Sequence, residues 1–115
     1  METMLQWNTL NEIGQLDLLV DESYQIPVVI FKHSTRCSIS SAALGRMQRG
    51  WTDQHMKAKA YYLDLIAHRD VSNRIALLFD VEHQSPQVIV VRNSKAVYDA
   101  SHSMILPDDL VPHLK

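Results

Sequence analysis

Short apolar runs along the chain predict three of its strands. Residues 28–31 and 88–91 are continuous stretches of valine, isoleucine and phenylalanine without polar alternation. Strands that are covered on both faces of a sheet have this pattern. We therefore predict buried strands over residues 26–31 and 88–92, and a third strand over residues 60–66, where tyrosine, leucine and isoleucine predominate.

Apolar residues three to four positions apart predict helices between these strands. Residues 9–20 open with Thr9 and, three positions on, a glutamate. This is the spacing of a capping box, so the first helix is expected to begin there. A second helix is expected to begin at Cys37 or Ser38 and to stop near Gly50.

The C-terminal half adds a hairpin and two further helices. A third helix is predicted over residues 69–79, with Asp70 or Ser72 as its N-cap. An Asn-Ser turn after residue 92 is expected to lead into a hairpin partner over residues 95–100. A proline then opens a last short helix over residues 108–114.

The order of these elements predicts the fold class. The first two strands are joined by a helical crossover and should be parallel, whereas the last two form a hairpin. A three-layer α/β sandwich with a mixed four-stranded sheet flanked by helices satisfies both conditions. A length of 115 residues supports one domain, so we assign residues 1–115 to a single domain.

Charge and hydropathy exclude two classes of partner. Eleven Lys and Arg residues against 13 Asp and Glu residues give a net charge of −2, so no nucleic-acid partner is expected. No apolar run approaches the roughly 20 residues of a membrane span, so no membrane association is expected. The N-terminus does not read as a signal peptide, and we expect a cytoplasmic location.

Cysteine usage narrows the chemistry further. Cys37 is the only cysteine, which excludes an intramolecular disulfide and a cysteine-only zinc site. The spacing of the histidines also lacks a metal-binding pattern, so no bound metal is expected. Any redox chemistry must therefore take its second sulfur from another molecule.

Cys37 follows a buried strand at the predicted start of a helix. Free N–H groups and a partial positive charge at a helix N-terminus stabilise a thiolate over a thiol. Thiolates at such positions are nucleophiles near neutral pH. Arg36 adds positive charge beside the sulfur and is a candidate for binding an acidic ligand. We predict Cys37 to be the catalytic nucleophile.

Ser40 lies three residues after Cys37, about one helical turn on. Its hydroxyl can donate a hydrogen bond to the thiolate, but it cannot resolve a mixed disulfide as a second thiol would. The segment reads as a C-x-x-C redox motif with oxygen in the second place. Ser85 and Pro86 directly precede the strand predicted at 88–92. A cis peptide bond between them would present backbone groups to an extended peptide or thiol ligand.

These features together resemble the thioredoxin-like fold. Four segments are similar, in more detail, to the YtxJ-like monothiol bacilliredoxins of the bacterial bacillithiol redox system, and the similarity runs over nearly the whole chain. The four segments are residues 31–40, 71–76, 81–88 and 100–102.

The resemblance implies thiol–disulfide exchange in which Cys37 removes bacillithiol from the mixed disulfides of client proteins. Ser40 would stabilise the thiolate, and Arg36, Ser85 and Pro86 would bind the substrate. No cofactor would be bound. Bacillithiol or another low-molecular-weight thiol would act as co-substrate and regenerate the cysteine.

Two other functions remain as alternatives. The thioredoxin-like fold also serves in binding or adaptor modules without catalysis. Monothiol glutaredoxins use a Cys-Gly-Phe-Ser type motif to hold iron–sulfur clusters, whereas Ser38 and Ile39 stand between the cysteine and the serine here. Both alternatives rank below thiol–disulfide exchange.

Overall fold

A central strand with both faces covered organises the molecule, which is described here by a computed structural model over residues 4–115. Its strands and helices are, in chain order, β1 (Trp7–Thr9), α1 (Gln15–Glu22), β2 (Val28–His33), α2 (Ser38–Gly50), β3 (Lys59–Asp64), α3 (Arg69–Phe79), β4 (Gln87–Arg92), β5 (Lys95–Ser101) and α4 (Pro107–Leu114). Single 3₁₀ turns cover Asp53–His55 and His102–Met104.

The sheet has five strands in the order β1-β3-β2-β4-β5. The central strand β2 runs parallel to β3 and antiparallel to β4, and β4 forms the predicted hairpin with β5. All six residues of β2 are buried, because helices cover both faces of the sheet. The predicted three-layer α/β sandwich with a mixed sheet is confirmed.

Alternate residues of β2 point to opposite faces and enter two separate cores. Val28 and Ile30 pack on one face with α1 and α3. Val29 and Phe31 pack on the other face with α2 and α4. The helix that follows β2 is therefore anchored to the sheet by an apolar layer beneath it.

The N-terminal segment differs from the prediction. Residues 7–9 form β1, a fifth strand that pairs in parallel with β3 and places Thr9 opposite Tyr62. The first helix begins only at Gln15. The predicted helix start at Thr9, with its capping box, is wrong because these residues complete the sheet edge. The Gln15 side chain instead accepts hydrogen bonds from the amides of Asn11 and Glu12.

The start of α3 also differs in detail. Its N-cap is His68, which makes no side-chain cap, so the expected caps at Asp70 and Ser72 are wrong. The carboxylate of Asp64 accepts hydrogen bonds from two amides in the turn before the helix. Ser72 is buried, and its hydroxyl lies 3.2 Å from Nδ1 of His83 instead.

Candidate functional site

Cys37 is the N-cap of α2, the 13-residue helix that follows the central strand. Its backbone is extended, with φ −117° and ψ 121°, and its carbonyl accepts a hydrogen bond from the amide of Ser41. The thiol is free, partly exposed and makes no capping hydrogen bond. Cys37 is thus a partly exposed cysteine at the leading end of a long helix, as the sequence predicts.

The sheet register places Cys37 and Pro86 at the same end of the molecule. In the antiparallel pair of β2 and β4, Lys32 lies opposite Gln87. The turn to Cys37 leaves β2 one residue after Lys32, and Pro86 immediately precedes β4. Strand pairing therefore brings the two predicted site segments together, where β2 ends and β4 begins.

The segment before β4 is held by buried polar contacts. The Ser85–Pro86 peptide bond is cis, and Ser85 is half-buried. The fully buried side chain of Gln87 donates to the carbonyl of Glu82 at 3.1 Å and accepts from the amide of Gln84 at 3.4 Å. These bonds fix the backbone on which Ser85 and Pro86 lie.

Arg46 links the cysteine helix to this segment. Its guanidinium donates from Nη2 to the carbonyl of His102 at 2.8 Å and from Nε to the carbonyl of Ile105 at 3.0 Å. The amide of His102 donates to the carbonyl of Pro86 at 3.2 Å. Two hydrogen bonds in series therefore connect α2 to Pro86 through one residue.

The structure gives Ser40 two partners other than the sulfur. The residue is fully buried, its Oγ lies 2.7 Å from Nδ1 of His33, and it accepts from the amide of Ser34 at 3.0 Å. The hydroxyl is placed in the second position of the motif, one turn from Cys37. The hydrogen bond from Ser40 to the thiolate therefore stays a prediction.

His33 lies on the α2 face of the sheet among aromatic rings. Its ring centroid is 6.1 Å from that of Phe31 and 5.5 Å from that of Tyr62. Burial lowers the pKa of His33, and the negative charge of Asp64 opposes that shift. The same two factors, burial first and Asp64 second, raise the pKa of Tyr62.

Lys32 points to the opposite face, where it is fully buried. Its Nζ lies 3.3 Å from Nδ1 of His83, three residues before Pro86. Burial lowers the pKa of Lys32 from 10.5 to about 8. The pKa of His83 is also lowered, by burial and then by the charges of Lys32 and Arg69. Polar contacts on this face thus tie β2 and α3 to the segment that carries Pro86.

The sequence interpretation missed most of this support. The strand predicted over residues 26–31 stops before Lys32 and His33, because their polarity is typical of a loop. Both continue β2, with His33 opposite Asp64. The sequence alone gives Arg46 and Gln87 no role. Their roles follow from the hydrogen bonds that the structure shows. Arg36, a predicted substrate-binding residue, is exposed in the turn before Cys37.

Residues 4–115 lack two features that other functions would require. They contain no group of three His, Cys, Asp or Glu side chains placed to share a metal ion. None of the helices in that range has the length and apolar character that crossing a membrane requires.

Comparison with solved structures identifies the fold. A candidate oxidoreductase with a thioredoxin fold superposes with a TM-score of 0.79 at 28% identity, covering 93% of this chain and 92% of that chain. Thioredoxin O2 from Arabidopsis thaliana gives a TM-score of 0.76 at 12% identity over 100% of both chains. Thioredoxin from Trypanosoma brucei brucei gives 0.73 at 15% identity, covering 95% and 88%. The thioredoxin-like fold predicted from the sequence is confirmed.

Family comparison narrows this fold to one group of proteins. The family model of the monothiol bacilliredoxin BrxC matches residues 8–110. That range includes Cys37, the buried Ser40 and the segment with Pro86, which lie where β2 ends and β4 begins. This chain belongs to the monothiol bacilliredoxin family and is a thiol oxidoreductase of thioredoxin fold.

Proposed function

We propose that this protein removes bacillithiol from mixed disulfides of client proteins, with Cys37 as the nucleophile. The observation that carries the proposal is a single, partly exposed thiol at the N-terminus of α2 in a chain of the monothiol bacilliredoxin family. A nucleophile there needs no second cysteine, because the leaving group and the regenerating thiol are both separate molecules.

The proposed first step exchanges one disulfide for another. The Cys37 thiolate attacks the bacillithiol sulfur of the mixed disulfide, and a new S–S bond forms between them. The bond between bacillithiol and the client breaks, and its electron pair leaves with the client sulfur as a thiolate. The client is reduced, and Cys37 carries bacillithiol.

The second step returns the enzyme to its starting state. A low-molecular-weight thiolate, bacillithiol itself in our proposal, attacks the bacillithiol sulfur bound to Cys37. The Cys37 thiolate leaves, and the two small thiols depart as their disulfide. A reducing compartment such as the cytoplasm suits this cycle, because small thiols are kept reduced there.

Four other residues have proposed roles in the same reaction. Ser40 stabilises the thiolate by hydrogen bonding. The exposed Arg36 adds positive charge beside the sulfur and binds acidic groups of the substrate. The backbone around Ser85 and Pro86 aligns the bound disulfide. Gln87 holds this backbone at the end of the sheet where Cys37 also lies.

The test is the removal of bacillithiol from a purified client protein, followed by intact mass spectrometry. The wild-type protein should strip the adduct and acquire it on Cys37. Cys37→Ala should do neither, whereas Ser38→Ala, which changes an exposed neighbour, should retain activity. A client loaded with glutathione serves as the parallel substrate. Removal of glutathione without removal of bacillithiol would overturn the proposed substrate, and activity of Cys37→Ala would overturn the proposed nucleophile.

A further inference from the structure

We propose that Arg46 is a positioning residue for thiol–disulfide exchange, which holds the backbone of Pro86 at the spacing from Cys37 that a peptide-bound disulfide requires. This role rests on the proposed function, in which Cys37 is the nucleophile. Its basis is a series of hydrogen bonds that run from Arg46 to the turn His102–Met104 and from that turn to Pro86.

Pro86 lies just outside the paired part of the sheet. The pairing of β2 with β4 ends at Lys32 and Gln87, and the pairing of β4 with β5 ends at Gln87 and Ser101. The carbonyl of Pro86 instead accepts a hydrogen bond from the amide of His102 at 3.2 Å. The position of the Pro86 backbone therefore depends on where the turn after β5 holds His102.

The backbone of His102 adopts a conformation that its neighbours must maintain. Its φ is 56°, in the left-handed region that favours glycine. Another residue stays in this region when surrounding contacts hold it there. The His102 carbonyl accepts from Nη2 of Arg46 at 2.8 Å and from the amide of Ile105 at 3.3 Å. Arg46 therefore helps to keep the conformation in which His102 donates to Pro86.

The same guanidinium also holds the far end of the turn. Nε of Arg46 donates to the carbonyl of Ile105 at 3.0 Å. The Ile105 side chain is fully buried in the apolar layer that contains Ala43 and Met47 of α2. Because the N–H groups of a guanidinium lie in one fixed plane, two bonds to two carbonyls set an orientation as well as a distance. The turn is thus held to α2 as a unit.

Cys37 and Arg46 belong to the same helix. Cys37 is the N-cap of α2, and Arg46 lies further along it. Buried Ala43 and Met47 anchor this helix to the sheet between the two positions. The sulfur and the Pro86 backbone are therefore both positioned relative to α2, and Arg46 makes the connection on the Pro86 side.

Peptide disulfides and small disulfides should respond differently to this positioning. An extended peptide can bind backbone groups next to Pro86 only if its disulfide reaches Cys37 at the same time, so the spacing between the two matters. A small disulfide has no peptide backbone and requires only the thiolate. Loss of the Arg46 hydrogen bonds should therefore slow exchange with peptide disulfides and spare exchange with small ones.

The test compares two probes that release the same coloured thiolate, in the wild type and in Arg46→Met. One probe is the symmetric disulfide of nitrothiobenzoate, and the other carries nitrothiobenzoate on the single cysteine of an extended peptide. Attack by the Cys37 thiolate forms a new S–S bond to one sulfur of the probe, and nitrothiobenzoate leaves with the electron pair. We expect Arg46→Met to lower the second-order rate constant about tenfold for the peptide probe, the equivalent of one lost hydrogen bond, and less than about twofold for the small probe.

Two further variants separate positioning from a general loss of structure. Arg49→Met removes an exposed arginine of the same helix and should change neither rate constant. Arg46→Lys retains the charge and part of the donor capacity, so its peptide rate constant should lie between those of Arg46→Met and the wild type. If Arg46→Met is unfolded at the assay temperature by circular dichroism, Arg46→Lys provides the same comparison with a smaller expected loss.

An equal loss with both probes, or an unchanged rate constant with the peptide probe, would overturn the proposed role of Arg46. Neither probe contains bacillithiol, so this result does not depend on which small thiol the protein removes from its clients. Failure to remove bacillithiol from a client would overturn the proposed substrate and leave the comparison of the two probes intact.

Discussion

The Nζ of Lys32 lies 3.3 Å from Nδ1 of His83 and is fully buried in the face of the sheet that carries α3. The ion pair recorded within residues 4–115 joins Lys59 to Glu22 and does not involve Lys32. The partner of the Lys32 ammonium is therefore the imidazole of His83 and not a carboxylate. Burying a charge without a counter-charge costs stability, and the lowered pKa of Lys32 reflects that cost.

Replacing this ammonium by an apolar chain should stabilise the fold. We expect Lys32→Met to raise the free energy of unfolding at pH 7 by about 2 kcal/mol, because the variant buries a similar volume without a charge. Chemical denaturation followed by circular dichroism measures the change. Lys57→Met, at an exposed lysine, should change it by less than about 0.5 kcal/mol.

The pH dependence of this effect has a definite sign. The pKa of Lys32 is about 8 in the folded protein and 10.5 ordinarily, so between these values the unfolded chain binds more protons. The free energy of unfolding of the wild type should therefore gain a rising contribution across this range. The advantage of Lys32→Met should be largest below pH 8 and shrink toward pH 10.5. An advantage that does not vary with pH would contradict the assignment.

Ser40→Cys should convert the site into a dithiol. A sulfur at this position lies one helical turn from Cys37, and oxidation should close a disulfide between them. Mass spectrometry before and after alkylation measures the loss of both free thiols in the monomer. Ser38→Cys is the matched control, because adjacent residues on a helix do not face each other. Failure of Ser40→Cys to close an intramolecular disulfide would show that residue 40 is turned away from the sulfur.

Arg46→Ala should loosen the segment that follows β5. Loss of two hydrogen bonds from the guanidinium to the carbonyls of His102 and Ile105 should cost about 1 to 2 kcal/mol of stability. Hydrogen exchange at the His102 amide, which is bonded to Pro86, should also become faster. Arg49→Ala, at an exposed arginine on the same helix, should change neither measurement.

Gly50 and Gly14 offer a matched pair of glycine substitutions. A Cβ at Gly50 would lie 2.6 Å from Cγ and 2.9 Å from Cβ of Pro107, whose ring cannot bend away. Gly50→Ala should therefore lower the free energy of unfolding by about 1 to 3 kcal/mol. A Cβ at Gly14 meets nothing within 4 Å, and Gly14→Ala should be neutral or slightly stabilising. Thermal denaturation compares the two, and equal effects would contradict the packing at Gly50.

The sequence predicted an element correctly where local residues carry its signal, either an apolar periodicity or a turn motif. The start of α2 at Cys37, the hairpin of β4 and β5 and the helix α3 all follow from such patterns. The three-residue β1 does not, because its stability comes from pairing with β3, about fifty positions along the chain. A short strand of mixed polarity carries no periodic signal of its own.

Features of the candidate site that depend on partners distant in the sequence were likewise not predictable. Cys37, Ser40 and Pro86 were predictable, since each has a motif or a helix position that points to its chemistry. The burial of His33 and Lys32 inside β2 was not predictable, because a polar residue beside a buried strand usually signals the strand's end. Their burial depends on partners that the fold supplies, such as His83, which is 51 positions from Lys32.

Because the motif has one sulfur and one oxygen, no second thiol of this chain can resolve a mixed disulfide on Cys37. An adduct on Cys37 lasts until an outside thiol collides with it, so occupancy of that single atom tracks the ratio of oxidised to reduced small thiols in its surroundings. Under the proposed chemistry, the fraction of capped protein in a cell would serve as a readout of that ratio, besides being a step in repair.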